Sequence, residues 1–67
     1  MSPQDAAGYL NKTVMVNNPK ISGAMTFTAY IFRIKDGRKL YQAEVRRLDP
    51  PHEIYIVSLD DLKPATM

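Results

Sequence analysis

The sequence predicts one small, mainly β domain, in which four to five short antiparallel strands curl into a partly open barrel. Three observations favour this fold class. Runs rich in β-branched and aromatic residues recur along the chain, separated by glycine and proline. The 67 residues allow only one domain, and the absence of cysteine leaves packing or a partner subunit to stabilise it. Apolar residues make up 45%, a globular composition that argues against disorder.

A short N-terminal helix is predicted over residues 3 to 10. Ser2 is a suitable N-cap, and Pro3 fits the first helical position, where no backbone donor is needed. Asp5 places a negative charge near the positive end of the helix dipole. We expect residues 1 and 2 to fray, because chain termini are usually poorly ordered.

The first strand is predicted at residues 13 to 17, a run that contains four β-branched or apolar residues in succession. The breaker dipeptides Asn18-Pro19 and Ser22-Gly23 follow it. They predict a loop over residues 17 to 24, with a weak additional strand around residues 20 to 24.

A long β-hairpin is the clearest element of the sequence. Two β-rich runs, Met25 to Lys35 and Lys39 to Arg47, flank the dipeptide Asp36-Gly37, which is a strong hairpin signal. Two registers remain open. A two-residue turn would pair Phe32 with Tyr41 and Tyr30 with Ala43.

A three-residue turn, with Gly37 in the left-handed conformation, is the alternative register. It gathers six apolar side chains on one face, and we favour it because that face is cleanly apolar. Those six residues are Phe27, Ala29, Ile31, Tyr41, Ala43 and Val45. The opposite face then carries Thr28, Tyr30 and Phe32 beside Gln42, Glu44 and Arg46.

The remaining sequence predicts a turn, a strand and a closing helical turn. Residues 49 to 53 include two prolines and a histidine and are predicted to be a stiff turn. Residues 54 to 59 are predicted to be a strand, and residues 60 to 64 a 3₁₀ turn with Asp60 as its cap. The whole chain, residues 1 to 67, is interpreted as one domain, in which residues 65 to 67 fray.

This pattern resembles the small SH3-like barrel modules of the Tudor and KOW type. The segments Leu10 to Val16 and Ile56 to Pro64 carry the resemblance, together with the central hairpin. The segments Tyr41 to Val45 and Ile56 to Asp61 also resemble uncharacterised small proteins of bacterial mobile elements. Many binding roles share this shape, so the resemblance implies a binding module but no particular site.

Basic residues concentrate in the hairpin and predict a nucleic-acid-binding surface. Cations would neutralise phosphates, and aromatic rings between them would stack on bases. In the favoured register, Arg33, Lys39 and Arg47 share one face, and Arg46 lies on the other beside Tyr30 and Phe32. The alternative is a sheet edge that charges protect against aggregation. The candidate binding residues are Arg33, Lys35, Arg38, Lys39, Arg46 and Arg47.

A second hypothesis is a protein-interaction module or inhibitor, with a homodimer as one form of it. Tyr30 and Phe32 would be its anchors if they are exposed, because tyrosine and arginine are favoured at interface centres. The other interpretation of these aromatic residues is that they belong to the core. A sheet edge could serve the same purpose by pairing with a strand of another chain.

The sequence predicts no enzyme, metal site or cofactor. His52 has only Glu53 and Asp49 nearby, which is too few ligands for a structural metal and no set for catalysis. Asp60-Asp61 is interpreted as a helix start. The sequence has no apolar run long enough to cross a bilayer and no secretion signal, so we expect a cytoplasmic protein without membrane contact or a small-molecule substrate.

Overall fold

A computed structural model describes residues 1–65 as a five-stranded antiparallel sheet preceded by a short helical segment. The mainly β fold class is confirmed, and the open sheet is compatible with a small, partly open barrel. The strands follow the order β4-β3-β2-β1-β5, so β4 and β5 form the two edges. The elements are α1 (Pro3–Ala6), a 3₁₀ turn (Ala7–Tyr9), β1 (Thr13–Asn17), β2 (Ser22–Lys35), β3 (Arg38–Arg47), β4 (Ile54–Ser58), a 3₁₀ turn (Leu59–Asp61) and β5 (Leu62–Pro64).

The core lies on one face of the sheet, called here the inner face. Alternate residues of β1, β3 and β4 point into it, as the two-residue period of a strand requires. The helix covers this face through Ala6, and the second 3₁₀ turn covers it through Leu59. The opposite side of the sheet is called the outer face. The buried residues are Ala6, Val14, Val16, Met25, Phe27, Ala43, Val45, Val57, Leu59 and Leu62.

The hairpin register combines the two that the sequence left open. Phe27 pairs with Val45, as in the favoured register, but beyond Thr28 the ladder shifts, and Phe32 pairs with Tyr41. Thr28 is the extra residue of a β-bulge, and its hydroxyl donates to a carboxylate oxygen of Glu44 at 2.8 Å. Both predicted registers assume a uniform alternation along β2, so each is correct on one side of the bulge only.

The prediction of a three-residue turn is therefore wrong at the tip. Asp36 and Gly37 alone connect the strands, with φ angles of 52° and 75°. Two consecutive positive φ angles are the signature of a type I′ turn, whose twist matches that of the strands. Ala29 and Ile31 consequently lie on the outer face, opposite Glu44 and Gln42.

The fifth strand and the closing turn also differ from the prediction. The segment around residues 20 to 24 supplies the start of β2 instead of a separate strand, and the fifth strand is β5, which pairs with β1. The 3₁₀ turn begins one residue earlier than predicted. Its cap is Ser58, whose hydroxyl accepts from the Asp60 backbone N–H at 3.3 Å, so Asp60 is not the cap.

The N-terminus is held against the sheet, although the sequence predicts fraying at residues 1 and 2. The ammonium of Met1 donates to the carbonyls of Leu59 and Leu62 at 3.1 and 3.0 Å. Ser2 caps α1 by accepting from the Asp5 backbone N–H at 3.2 Å. The predicted fraying of residues 65 to 67 falls mostly on residues 66 and 67, which lie outside the described residues.

Candidate nucleic-acid interface

The hairpin extends beyond the rest of the sheet as a two-stranded ribbon. β1 pairs with residues 22–26 of β2, and β4 pairs with residues 42–46 of β3. Residues 32–41 lie past both neighbours and are called here the arm. The molecule is accordingly elongated, with dimensions of 37 × 22 × 19 Å.

Positive charge is concentrated on the arm. Four of the nine basic residues and one of the seven acidic residues lie there, so the arm carries a net charge of +3. The whole chain carries +2, which leaves −1 for the remainder. The excess positive charge of the chain is therefore located at one end of the molecule. The electrostatic potential is most positive around that end.

Three of these cations share the outer face of the arm. Lys35 and Arg38 are directly opposite each other across the ribbon, and Arg33 lies two pairs further back, opposite Leu40. All three basic side chains are exposed. An open hollow of about 490 Å³ at the tip is lined by Lys35, Asp36, Arg38 and Leu40. A hollow this open suits a large charged partner better than an enclosed small molecule.

The inner face of the arm is apolar and aromatic. Phe32 contacts Tyr41 with ring centroids 5.4 Å apart and planes inclined by 52°. Ile34 is 67% exposed and lies opposite Lys39. Towards the base, this face continues into half-buried Tyr30, which packs against the core.

In the structure, the cations and the aromatic rings that the sequence predicts to be interleaved lie apart. The prediction that Arg33 shares a face with Lys39 and Arg47 is wrong, because the bulge and the two-residue turn place Arg33 on the outer face. The prediction that Arg46 lies beside Tyr30 and Phe32 is wrong for the same reason. Cations and aromatic rings therefore occupy opposite faces of the arm, with Lys39 as the one arm cation on the aromatic side.

Arg46 and Arg47 lie at the base of the hairpin, away from the arm. Eight residues separate Arg46 from Arg38 along β3, or about 26 Å at the rise of an extended strand. Arg46 is exposed on the outer face, opposite Thr26 and Ile54. The six predicted cations thus form two groups along the hairpin, four on the arm and two at its base.

Arg47 belongs to a small polar cluster on the inner side. Its guanidinium lies over the ring of Tyr55, 5.5 Å from the centroid, and its Nε donates to the Tyr55 hydroxyl at 3.3 Å. This hydrogen bond raises the pKa of Arg47, with smaller contributions from the charges of Tyr55, Glu53 and Asp49. The Tyr55 hydroxyl itself donates to Glu53. Because Arg47 makes these contacts within the fold, it is a weaker candidate for binding a ligand than the arm cations.

The other polar candidates have structural partners. Nδ1 of His52 lies 3.1 Å from the carbonyl oxygen of Arg47, and the amide of Asn18 donates to a carboxylate oxygen of Asp61 at 2.9 Å. Within residues 1–65, no three histidine or acidic side chains are grouped so that they could hold a metal ion.

Two features of the outer face escaped the sequence analysis. Ile54 and Ile56 of the edge strand are 57% and 48% exposed, because their parity on β4 places them away from the core. Gln42, between Ile31 and Ser58, has a buried side-chain oxygen without a hydrogen-bond partner among the described residues. The alternation of residues 54 to 58 could have predicted the exposure of Ile54 and Ile56. The second depends on a register that the sequence left open.

Comparisons with known proteins leave the site to be interpreted from its geometry alone. No protein-family model, curated protein or solved structure matches this chain. The resemblances to SH3-like modules and to proteins of mobile elements therefore remain predictions. Across residues 1–65, none of the helices is long and apolar enough to cross a membrane.

Proposed function

We propose that this protein is a small, non-enzymatic, cytoplasmic module that binds nucleic acid through the outer face of its arm. The observation that carries the proposal is the charge distribution: the arm holds +3 on a chain whose remainder is −1. Arg33, Lys35 and Arg38 are exposed on one face of a ribbon that projects from the domain. A polyanion gains most from such an arrangement, because neutralised phosphates release their counterions.

The arm is also built to present these cations. A two-residue turn closes the tip, and the paired strands hold the backbone, so that only side chains must be ordered on binding. Because Lys35 and Arg38 lie beside the turn at the tip, they would contact an approaching ligand before the rest of the domain does. Electrostatic steering of this kind raises association rates most at low ionic strength.

The test is fluorescence anisotropy with labelled DNA and RNA, single- and double-stranded, at low and physiological salt. The triple variant Arg33→Ala/Lys35→Ala/Arg38→Ala removes the outer-face cations of the arm. The matched control is Lys12→Ala/Lys20→Ala/Lys63→Ala, which lowers the net charge equally at exposed positions off the arm.

We expect affinity to fall steeply with salt, and the slope of log affinity against log salt to decrease by about one for each phosphate contact that is removed. The arm variant should lose most of the binding, while the lysine control should keep it. Equal losses in the two variants would indicate a response to net charge alone and would contradict the proposed site.

A protein partner on the inner face of the arm is the second candidate. Phe32 is 48% and Ile34 67% exposed, and both lie on the face that continues into Tyr30 and the core. A second copy of the chain is the simplest occupant to test. Light scattering over a range of concentrations should then show a dimer that Phe32→Ser/Ile34→Ser converts to a monomer; a monomer at all concentrations would remove the homodimer.

A further inference from the structure

We infer that the nucleic acid is a DNA duplex, and that the outer face of the arm lies in its major groove. This inference rests on the proposed function and names the substrate of the same site. Three features of the arm support it: the separation of its cations from its rings, its dimensions, and the chemistry of its outer face.

The separation of the two faces disfavours a single strand as the ligand. A single-strand surface needs rings on which bases stack beside the cations that hold the phosphates. Here the ladder places Phe32 and Tyr41 on one face and Arg33, Lys35 and Arg38 on the other. The two rings also contact each other, at 5.4 Å and an inclination of 52°, so they do not offer parallel stacking surfaces. A duplex hides its stacked bases and presents phosphates and groove edges, which need no aromatic ring.

The dimensions of the arm fit a groove. Two paired strands lie about 4.8 Å apart, and the B-DNA major groove, about 12 Å wide and about 8.5 Å deep, admits a two-stranded ribbon. The part from Phe32 to Asp36 extends about 13 Å at the rise of a strand, so the arm is longer than the groove is deep. The two-residue turn adds no bulky loop that would prevent entry.

The outer face carries groups that a major groove can accept. Arginine and lysine donate to the O6 and N7 acceptors of guanine or to phosphates, and Arg33 and Arg38 are free at the surface to do either. Leu40, opposite Arg33, offers an apolar contact of the kind that a thymine methyl makes. Asp36 at the tip is an acceptor, which suits the amino group of cytosine but not a phosphate.

The experiment compares ligands with one another on the full chain. Anisotropy is measured with a 20-base-pair DNA duplex, its separate strands, the RNA duplex of the same sequence, and a DNA duplex whose cytosines carry a glucosylated hydroxymethyl group that fills the major groove. An RNA duplex is informative because its major groove is too narrow for side chains to read. The variants are Phe32→Ala and the triple variant of the arm cations.

We expect the DNA duplex to bind at least tenfold more tightly than the single strand, the RNA duplex or the glucosylated duplex. Phe32→Ala should leave this preference unchanged, and the triple variant should abolish duplex binding. Tighter binding of the single strand, lost in Phe32→Ala, would overturn the duplex inference while leaving the proposed function intact. Unchanged binding to the glucosylated duplex would overturn the major-groove placement alone. Absence of binding to every ligand would overturn the proposed function as well.

Discussion

The base and the arm of the central hairpin are made from the same two strands, yet they have different physical roles. At the base, Phe27 is completely buried, and its partner Val45 is equally inaccessible to solvent. In the arm, Phe32 is 48% exposed, and its neighbour on the same face, Ile34, is 67% exposed. The base has β1 and β4 beside it, whereas the arm has neither neighbour, and its side chains are exposed except for the half-buried Leu40 and Tyr41.

The base of the hairpin therefore contributes to folding, and the arm is left available for the binding role proposed above. Side chains at the base remove apolar surface from water and determine whether the chain folds. Residues 32–39 of the arm are exposed instead, so packing constrains their charge and shape less. The bulge at Thr28 lies near the boundary between the two regions.

Two phenylalanines in β2 give the largest expected contrast. Phe27→Ala should destabilise the domain by about 3–5 kcal/mol, because it leaves a cavity in a small core. Phe32→Ala should cost about 1 kcal/mol or less, since the ring is half exposed and its loss removes a partly solvated contact with Tyr41. Urea unfolding followed by circular dichroism measures both values.

A chain this small has little stability to lose, so Phe27→Ala is expected to be largely unfolded in water. The milder variant Phe27→Leu keeps most of the buried volume and gives a measurable transition. If Phe32→Ala proved as destabilising as Phe27→Ala, the arm would be part of the cooperative core, and the contrast between the regions would fail.

Two glycines give a smaller contrast. Gly37→Ala should cost about 1–2 kcal/mol, because its φ of +75° is unfavourable for a residue with a Cβ atom. Gly8→Ala should be neutral or stabilise by up to about 1 kcal/mol, since Gly8 is not among the positive-φ glycines and replacing it restricts the unfolded chain. A Cβ atom would meet nothing within 4 Å at either glycine, so conformation alone separates the two.

Thermal unfolding of both variants checks this second contrast, with nucleic-acid binding measured on the same samples. Gly37→Ala acts at the tip of the arm and should weaken binding by loosening the turn, whereas Gly8→Ala should not. Equal stabilities of the two alanine variants would contradict the left-handed turn at Asp36 and Gly37.

The sequence predicts most of the local structure of this fold. β1 has the predicted bounds, the hairpin is centred on Asp36-Gly37 as predicted, and a helical segment occupies the predicted N-terminal position. These elements depend on neighbouring residues: β-branched runs, a turn dipeptide, a capping serine. β5 was missed, because three residues ending in proline carry too little strand signal and form a strand only by pairing with β1.

The sequence predicts which residues of the arm are basic, but not which face of the hairpin each of them occupies. The four arm cations could be named from sequence, whereas their separation from Phe32 depends on parity, and parity depends on one extra residue at Thr28. A bulge has no reliable signature in a run such as Thr26-Phe27-Thr28, where either threonine could be the extra residue. The distance of Arg46 and Arg47 from the arm follows from the length of β3 and could have been calculated.

The smallest expected effect is at Thr28, the bulge residue near the boundary between the base and the arm. Thr28→Val should cost about 1 kcal/mol, because it removes the hydrogen bond from the Thr28 hydroxyl to Glu44 while keeping the shape of the side chain. Thr26→Val is the matched control on the same strand, where the half-buried threonine lies opposite Arg46. Chemical denaturation gives both values, and the control should be neutral within about 0.5 kcal/mol.

Since the bulge determines which arm residues face outward, a loss of nucleic-acid affinity in Thr28→Val that exceeds its loss of stability would show that the hydrogen bond holds the arm in register. Equal effects in the two valine variants would instead assign the bulge to the backbone alone.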